Sequence, residues 1–199
     1  MSKIKSVVLV FLFLGFSGCA TKTMNEKGLN VLTEDAYGAV VDKWSDRVED
    51  YSGLNNTITV MATLINSEVA QAQLEHNAHM FQWDQQKMTE ETRLSAEKSA
   101  KQTEVFVSFY SPERKWDDLY KSKTLWKVFL DVNGQRYEGK VTKIKLITRE
   151  IQSQYPYHTS YGTPYSIHFP VDMKNVDGKP VRLIFTGAIG AVTLNFGDK

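Results

Sequence analysis

The chain has 199 residues, of which 42% are hydrophobic and 24% are charged, and its formal net charge is +1. These fractions are typical of a globular protein, so the composition excludes a wholly disordered chain. The near-neutral balance gives no basic excess for binding a phosphate backbone, and we therefore expect no nucleic acid partner.

The N-terminus has the features of a secretory signal peptide. Lys3 and Lys5 precede an apolar run over residues 7–14, and small residues occupy positions 15, 17 and 18. The run is shorter than the roughly 20 residues that a membrane-spanning helix needs. A basic start, a short apolar run and small residues before a cleavage point define a signal peptide. We predict that residues 1–18 are removed from the mature protein.

Cys19 is the single cysteine of the chain and directly follows this segment. A lone cysteine cannot form an internal disulfide bond, so its position needs another explanation. Residues 16–19, Phe-Ser-Gly-Cys, resemble the lipobox that signal peptidase II recognises in bacterial prolipoproteins, with Phe16 where an aliphatic residue is more common.

The resemblance implies a location for the protein. It implies cleavage before Cys19, a diacylglycerol on the cysteine sulfur, and an acyl chain such as palmitate on the new amino group. Several acyl chains hold a protein firmly on a membrane, whereas one chain anchors it weakly. The residue after the cysteine is Ala20, where such lipoproteins use Asp for retention in the inner membrane. The resemblance therefore implies an outer-membrane lipoprotein whose domain faces the periplasm.

After the signal peptide we expect a lipidated tether over residues 19–32 and a single domain over residues 33–199. Thr33 predicts a helix N-cap, and an apolar stripe of helical period continues to Val48. The N-terminal helix is therefore predicted over residues 33–51, with Gly53 as its C-cap. Residues 67–101 contain neither Gly nor Pro, which predicts one long helix or two broken ones.

The rest of the chain alternates apolar and polar residues with the period of a β-strand. Asn133-Gly134 is the strongest short-range signal for a β-hairpin. The predicted strands cover residues 58–64, 105–110, 126–132, 135–146, 165–171, 181–185 and 191–196. We therefore predict an α+β fold with about seven mostly antiparallel strands, in a sandwich or a curved sheet. An N-terminal helix precedes the first strand, and a long helix lies between the first two strands.

The predicted domain also has a general likeness to known proteins. The helix that contains Trp44 and the strands over residues 61–64 and 165–170 resemble those of uncharacterised lipoproteins from Gram-negative bacteria. This resemblance implies no known activity.

The segment over residues 155–169 is the best candidate for a binding surface. It is rich in aromatic side chains, and Tyr155, Tyr157, His158 and Tyr161 lie beside glycine and prolines. Tyrosines provide a large contact area and a hydroxyl group at a low entropic cost. In the alternative interpretation these side chains pack over one end of the sandwich and belong to its core.

Two other clusters are weaker candidates for chemistry. His76 and His79 are three residues apart on the predicted long helix, a spacing that can hold a metal ion if further ligands join it. Asp117 and Asp118 are paired carboxylates, but no second acidic cluster at a recognisable spacing supports catalysis or calcium binding. Neither cluster completes a catalytic set, so we predict no enzyme and no cofactor.

Three functions are therefore compatible with the sequence. The first is a non-enzymatic binding or assembly module of the cell envelope, with another envelope protein as one candidate partner. The alternative is a carrier of a lipid or another apolar ligand, held between the sheet and a helix. The third is a metal-dependent hydrolase around His76 and His79.

Overall fold

The computed structural model describes residues 21–197. The predicted signal peptide and Cys19 lie outside the described residues. The strands are β1 (Lys22–Met24), β2 (Asn30–Leu32), β3 (Ser45–Ser52), β4 (Asn55–Ile65), β5 (Thr103–Tyr110), β6 (Trp126–Val132), β7 (Gln135–Glu138), β8 (Lys140–Lys143), β9 (Thr163–Phe169), β10 (Val181–Gly187) and β11 (Gly190–Phe196). The helices are α1 (Glu34–Lys43), α2 (Ser67–Met80), α3 (Gln85–Ser99) and α4 (Thr148–Gln154). None of these helices is long and apolar enough to cross a membrane.

Two antiparallel sheets form a sandwich. The five-stranded sheet has the order β3-β4-β5-β9-β8, and the four-stranded sheet has the order β11-β10-β6-β7. Alternate residues of each strand point to the same face, so the apolar positions of the two sheets meet between them. Buried side chains such as Val60, Val107 and Ile167 pack there with Leu130 and Leu183. This apolar layer is the main core of the domain.

The chain passes from one sheet to the other at Gly139. This residue separates β7, in the four-stranded sheet, from β8, in the five-stranded sheet, and its amide donates to the Val128 carbonyl at 2.8 Å. On the opposite side of the sandwich, the Asn195 amide of β11 donates to Asp46 Oδ2 of β3 at 2.8 Å. The two sheets are therefore linked along both sides.

A second apolar layer covers part of the outer face of the five-stranded sheet. Tyr37 and Val41 of α1, Val69 of α2 and Ile151 of α4 are buried around Phe106 of β5. Phe106 points outward because its neighbours Val105 and Val107 point into the sandwich. The helices leave the β3–β4–β5 part of this face open near Met61 and Tyr110, and that opening positions the candidate site.

The predicted class of about seven strands with a long helix is wrong in its strand count and helix layout. Residues 21–197 contain eleven strands in three antiparallel sheets, together with four helices. The predicted long helix is two helices, α2 and α3, because the chain turns at Gln82, which has a positive φ of 49°. The predicted return strand over 135–146 is divided at Gly139 into β7 and β8.

The predicted helix over residues 33–51 is also wrong beyond its first half. Thr33 caps α1 as predicted, accepting from the Ala36 amide at 3.3 Å, but the helix ends at Lys43. Residues 45–52 instead form β3, an edge strand paired with β4. Trp44 and Val48 fit the apolar stripe of a helix. In the structure their side chains pack against the sandwich core, and the backbone of β3 forms a ladder of hydrogen bonds with β4. Gly53 lies in the β3–β4 turn with a φ of 64°.

The segment predicted as a tether contains a folded hairpin. Strands β1 and β2 pair with each other, and Val31 is buried. Asn25 Nδ2 donates to the Ala78 carbonyl at 3.0 Å and to the Trp83 carbonyl at 2.9 Å, and Lys22 forms an ion pair with Glu75. Residues 22–32 are therefore attached to α2 and to the α2–α3 turn.

Candidate functional site

The segment over residues 155–162 connects α4 to β9 and crosses the outer face of the five-stranded sheet. Tyr155 is only 8% exposed, and its ring stacks on Phe106 with 3.6 Å between the ring centroids. Gln73 donates to its hydroxyl at 2.9 Å, and burial raises the pKa of Tyr155 well above its usual value. Tyr155 is a core residue that fixes the start of the segment.

His158 fixes the middle of the same segment. The imidazole is 2% exposed, and its Nδ1 lies 2.8 Å from Ser108 Oγ on the central strand β5. Gln152 Nε2 donates to the His158 carbonyl at 2.8 Å. Burial lowers the pKa of His158, so the neutral imidazole is favoured. His158 therefore attaches the segment to the sheet.

Tyr157 and Tyr161 have different environments from these two residues. Tyr157 is half-buried, and its hydroxyl lies 2.6 Å from Thr63 Oγ1. Burial is the main reason why the pKa of Tyr157 is raised above its usual range. Tyr161 is 82% exposed at the end of the segment. Of the four predicted binding residues, the structure therefore leaves Tyr157 and Tyr161 available at the surface and buries Tyr155 and His158.

These two tyrosines border a cleft of about 430 Å³ on the open part of the sheet. The strand register explains the lining, because Arg47 of β3 lies opposite Met61 of β4, and Met61 lies opposite Ser108 of β5. Residues directly opposite each other in an antiparallel pair point to the same face. Thr59 and Tyr110 form the next cross-strand row. The cleft floor is therefore a rigid sheet surface, and its rim is the segment with Tyr157 and Tyr161.

One cation lies at the β3 side of the cleft. Arg47 forms an ion pair with Glu49, which also accepts from the Tyr51 hydroxyl at 2.6 Å. The Tyr51 hydrogen bond and the Arg47 guanidinium both lower the pKa of the Glu49 carboxyl. Arg47 is exposed, so its guanidinium can still be reached by a ligand in the cleft.

A second concavity of about 600 Å³ continues from the cleft past Tyr110, Tyr161 and Gly162. We call it the basic groove, because Arg114, Lys121 and Lys143 line it, with Asp117 as its acidic residue. Exposed aromatic side chains, Tyr120 among them, lie along it.

The Asp117–Asp118 pair is divided between two structural roles. Asp117 accepts from the Tyr165 hydroxyl at 2.6 Å and from the Thr163 hydroxyl. Asp118 is buried and accepts from Thr124 Oγ1 at 2.8 Å. The two carboxylates therefore accept hydrogen bonds from different groups and share no common donor.

The histidine pair on α2 is also part of the packing. His76 is buried, its ring stacks on Tyr37 at 4.0 Å between centroids, and its Nε2 lies 2.9 Å from the Ser153 carbonyl oxygen. Burial is the largest cause of the lowered pKa of His76. Within residues 21–197, no three His, Cys, Asp or Glu side chains come together in a group that could hold a metal ion. Neither His76 nor His79 therefore belongs to a ligand set in this part of the chain.

Sequence reasoning missed Arg47, Met61, Ser108 and Tyr110 as cleft residues. The signal for three of them was present, because Met61 alternates with the buried Val60 and Ala62, and Ser108 and Tyr110 alternate with the buried Val107 and Phe109. Arg47 carried no such signal, since its strand fits a helical stripe.

Comparisons of this chain with protein families, with curated protein sequences and with solved structures found no match.

Proposed function

We propose that this chain is a lipid-anchored protein of the outer membrane that binds a ligand of the cell envelope through the cleft on its five-stranded sheet. The proposal combines the lipobox-like segment that ends at Cys19 with the geometry of the cleft. The protein acts by binding and not by catalysis, and its domain faces the periplasm.

The hairpin supports a position close to the membrane. Only Ala20 and Thr21 separate Cys19 from Lys22, which is held by Glu75. An extended chain covers about 3.3–3.6 Å per residue, so at most about 11 Å of chain separates Cys19 from the start of β1. The anchor therefore holds the domain next to the bilayer instead of lifting it away.

Exposed apolar side chains beside the hairpin support the same orientation. Met24 is 70% exposed and Phe81 is 65% exposed, and Phe81 lies beside the half-buried Trp83 with 6.5 Å between ring centroids. The hairpin and this turn are in direct contact, because the Glu26 amide donates to Gln82 Oε1 at 2.8 Å. Of these three side chains, Trp83 has the polar edge that is favoured at the membrane–water interface, and Met24 and Phe81 add exposed apolar surface beside it.

The observation that carries the binding function is the open, polar-aromatic cleft on a rigid sheet. Tyr110, Tyr157 and Tyr161 are grouped around Arg47 and Met61 on a concave surface. Tyrosine and arginine dominate the energetics of protein binding surfaces, because they combine a large contact area with directed hydrogen bonds. The sheet register and the His158 attachment hold the backbone of the cleft floor and rim in place before a ligand arrives, which lowers the cost of binding.

The same geometry favours binding at the open surface over catalysis by Ser108 and over a ligand enclosed between the two sheets. Ser108 is in the cleft floor, but its hydroxyl bonds a histidine that is 2% exposed and that attaches the rim segment to the sheet. Between the two sheets, large side chains such as Phe109, Trp126 and Phe185 fill the interior. An enclosed apolar ligand would have to displace this core, whereas the cleft is open at the surface.

A photocrosslinking experiment tests the proposal in living cells. We replace Tyr161 with p-benzoylphenylalanine in the full-length lipoprotein, irradiate the cells and analyse the products by mass spectrometry. We expect a discrete adduct at position 161, because this side chain lies at the rim of the cleft.

The matched control places the same crosslinker at Leu54, which is 99% exposed in the β3–β4 turn and lies outside the cleft. Position 54 is expected to give no adduct of the same mass. Identical adducts at both positions, or none at position 161, would contradict a binding role for the cleft.

A further inference from the structure

We propose that the basic groove is a subsite for an anionic saccharide, a sugar that carries a phosphate or carboxylate group. The inference rests on the proposed function, since the groove continues directly from the cleft. It goes beyond that function by assigning the chemical class of the ligand.

The groove contains three cations without an acidic partner. In the part of the chain that the structure describes, Arg114, Lys121 and Lys143 form no ion pair with a carboxylate. Two other lysines do form ion pairs, Lys115 with Glu113 and Lys127 with Glu138. Unpaired cations in a concave surface concentrate the positive potential, because the low-dielectric walls focus the field.

The one carboxylate of the groove lining does not neutralise these cations. Asp117 is bound by the hydroxyls of Tyr165 and Thr163, and it forms no ion pair with any of the three cations. The lining therefore has three positive charges against one negative charge, so it favours an anion.

The aromatic side chains indicate what the anion is attached to. Tyr120 is 47% exposed, and its ring stacks near Tyr165 with 6.3 Å between centroids. The Lys143 ammonium lies over the Tyr120 ring, 5.6 Å from its centroid, so a cation and an aromatic ring are adjacent in the lining. Tyr161 presents a second aromatic ring at the other side of the groove. A sugar has apolar C–H faces for such rings and hydroxyls for polar contacts.

The polarity of the groove favours a saccharide over an acidic peptide. Ser160, Thr163 and the tyrosine hydroxyls lie among the charged groups. A bound peptide segment is usually held by apolar pockets for its side chains or by pairing with a free strand edge. The volume of about 600 Å³ is within the range of small-molecule sites.

The test measures binding of N-acetylglucosamine 6-phosphate to the full lipoprotein in detergent micelles, by saturation-transfer NMR of the sugar protons. Neutral N-acetylglucosamine is the reference probe observed in the same way. Inorganic phosphate, which has no carbon-bound protons, is measured by its competition with the sugar phosphate, and an acidic heptapeptide is the competing class. We expect the sugar phosphate to bind at least about fivefold more tightly than the neutral sugar or inorganic phosphate, since each of these two lacks half of the contacts. Added salt should weaken its binding.

Variants assign the binding to the groove. Lys143→Ala is expected to weaken binding about fivefold, the size of one partly exposed charge contact. Lys121→Ala provides a second variant outside any strand. The matched control is Lys145→Ala, which removes an exposed lysine that is not in the groove lining, and binding should change by less than about twofold.

Vesicles separate the two sources of such a ligand. Displacement of the sugar phosphate by vesicles with a phosphorylated glycolipid, but not by phosphatidylcholine vesicles, indicates a membrane-borne saccharide. Displacement by neither vesicle indicates a free saccharide.

Three results would overturn the inference. They are equal affinity for charged and neutral sugar, equal losses in Lys143→Ala and Lys145→Ala, or tighter binding of the acidic peptide. If crosslinking at position 161 succeeds while no sugar phosphate binds, the ligand class is wrong and the binding function remains. If both experiments fail, the proposed function itself is contradicted.

Discussion

At the scale of single residues, two histidines connect the stability of the fold to pH. His158 bonds Ser108 under the rim of the cleft, and His76 is stacked on Tyr37 and bonds the Ser153 carbonyl. Burial lowers the pKa of both imidazoles below the usual value of about 6.5. Protonation therefore favours the unfolded chain, in which both imidazoles are hydrated.

We predict that the free energy of unfolding is highest above pH 6.5 and falls as the pH decreases from 7.5 to 5.5. The sign follows from linkage, since a lowered folded-state pKa gives stability that is present above the unfolded pKa and lost as pH falls through the folded one. Urea unfolding at several pH values measures this change. His158→Asn and His76→Gln should each reduce the slope, and an unchanged unfolding midpoint across this range in the original chain would be inconsistent with the prediction.

A half-buried carboxylate titrates in a separate range. Burial acts to raise the pKa of Glu104, but Lys98, the Ser166 hydroxyl and His168 outweigh it, and the net pKa is lowered from 4.5. Its contribution to stability is therefore present above about pH 4.5 and lost at more acidic pH. The interval from 7.5 to 5.5 thus isolates the histidines.

The segment that the sequence indicated borders the candidate cleft, but the sequence did not indicate the position of each residue in it. Tyr157 and Tyr161 border the cleft, whereas Tyr155 and His158 support it from below. Composition alone cannot separate these roles, because α4 and Phe106 decide which ring is covered. The two interpretations of this segment therefore each apply to some of its residues. Tyr157 and Tyr161 line a surface cleft, and Tyr155 and His158 are buried in the packing.

At the scale of secondary structure, the passage between the two sheets depends on Gly139. A Cβ atom added there would lie 2.5 Å from Ile167 Cγ2 and 2.7 Å from Phe169 Cε1. Both neighbours are fully buried in the core, so neither can move without disturbing the sandwich. The absence of a side chain at this position allows one stretch of chain to serve both sheets.

We predict that Gly139→Ala lowers the free energy of unfolding by about 1–3 kcal/mol, the usual cost of overpacking a core. Gly38→Ala is the matched control, since Gly38 is inside α1 and nothing lies within 4 Å of an added Cβ. That substitution should raise stability by about 0.5–1 kcal/mol, because alanine favours a helix interior over glycine. Urea unfolding compares the two, and equal effects of both substitutions would argue against a close contact at Gly139.

The elements that were predicted correctly are those with local signals. The Asn133-Gly134 turn joins β6 to β7 with positive φ at both residues, as the sequence indicates. Strand β3 was missed because its apolar residues fit a helix, and its strand conformation depends on pairing with β4. Over residues 67–101 the sequence allowed one long helix or two broken ones, and it did not locate the α2–α3 turn because Gln82 adopts a positive φ without a glycine. The periodicity of a sequence does not show which distant strands pair, and it does not show that a single residue adopts a positive φ.

At the scale of the whole molecule, the fold relates a predicted anchor to a binding surface. The hairpin over residues 22–32, which contains the exposed Met24, is attached to the α2–α3 turn that carries Phe81 and Trp83. The cleft lies on the open part of the β3–β4–β5 face, between the rim segment and the strands. Under the proposed function, a short anchor would restrict the distances at which this cleft can meet a ligand, and the ligand would be an envelope component close to the membrane.

The most direct test of this account is the intact mass of the protein extracted from membranes with detergent. We predict a chain that begins at Cys19, with a diacylglycerol and one amide-linked acyl chain added. A Cys19→Ser variant should lack the acyl mass, because it lacks the sulfur that the predicted diacylglycerol is attached to. A native mass without acyl chains, whether the chain is full-length or shortened, would contradict the membrane location on which the proposed function depends.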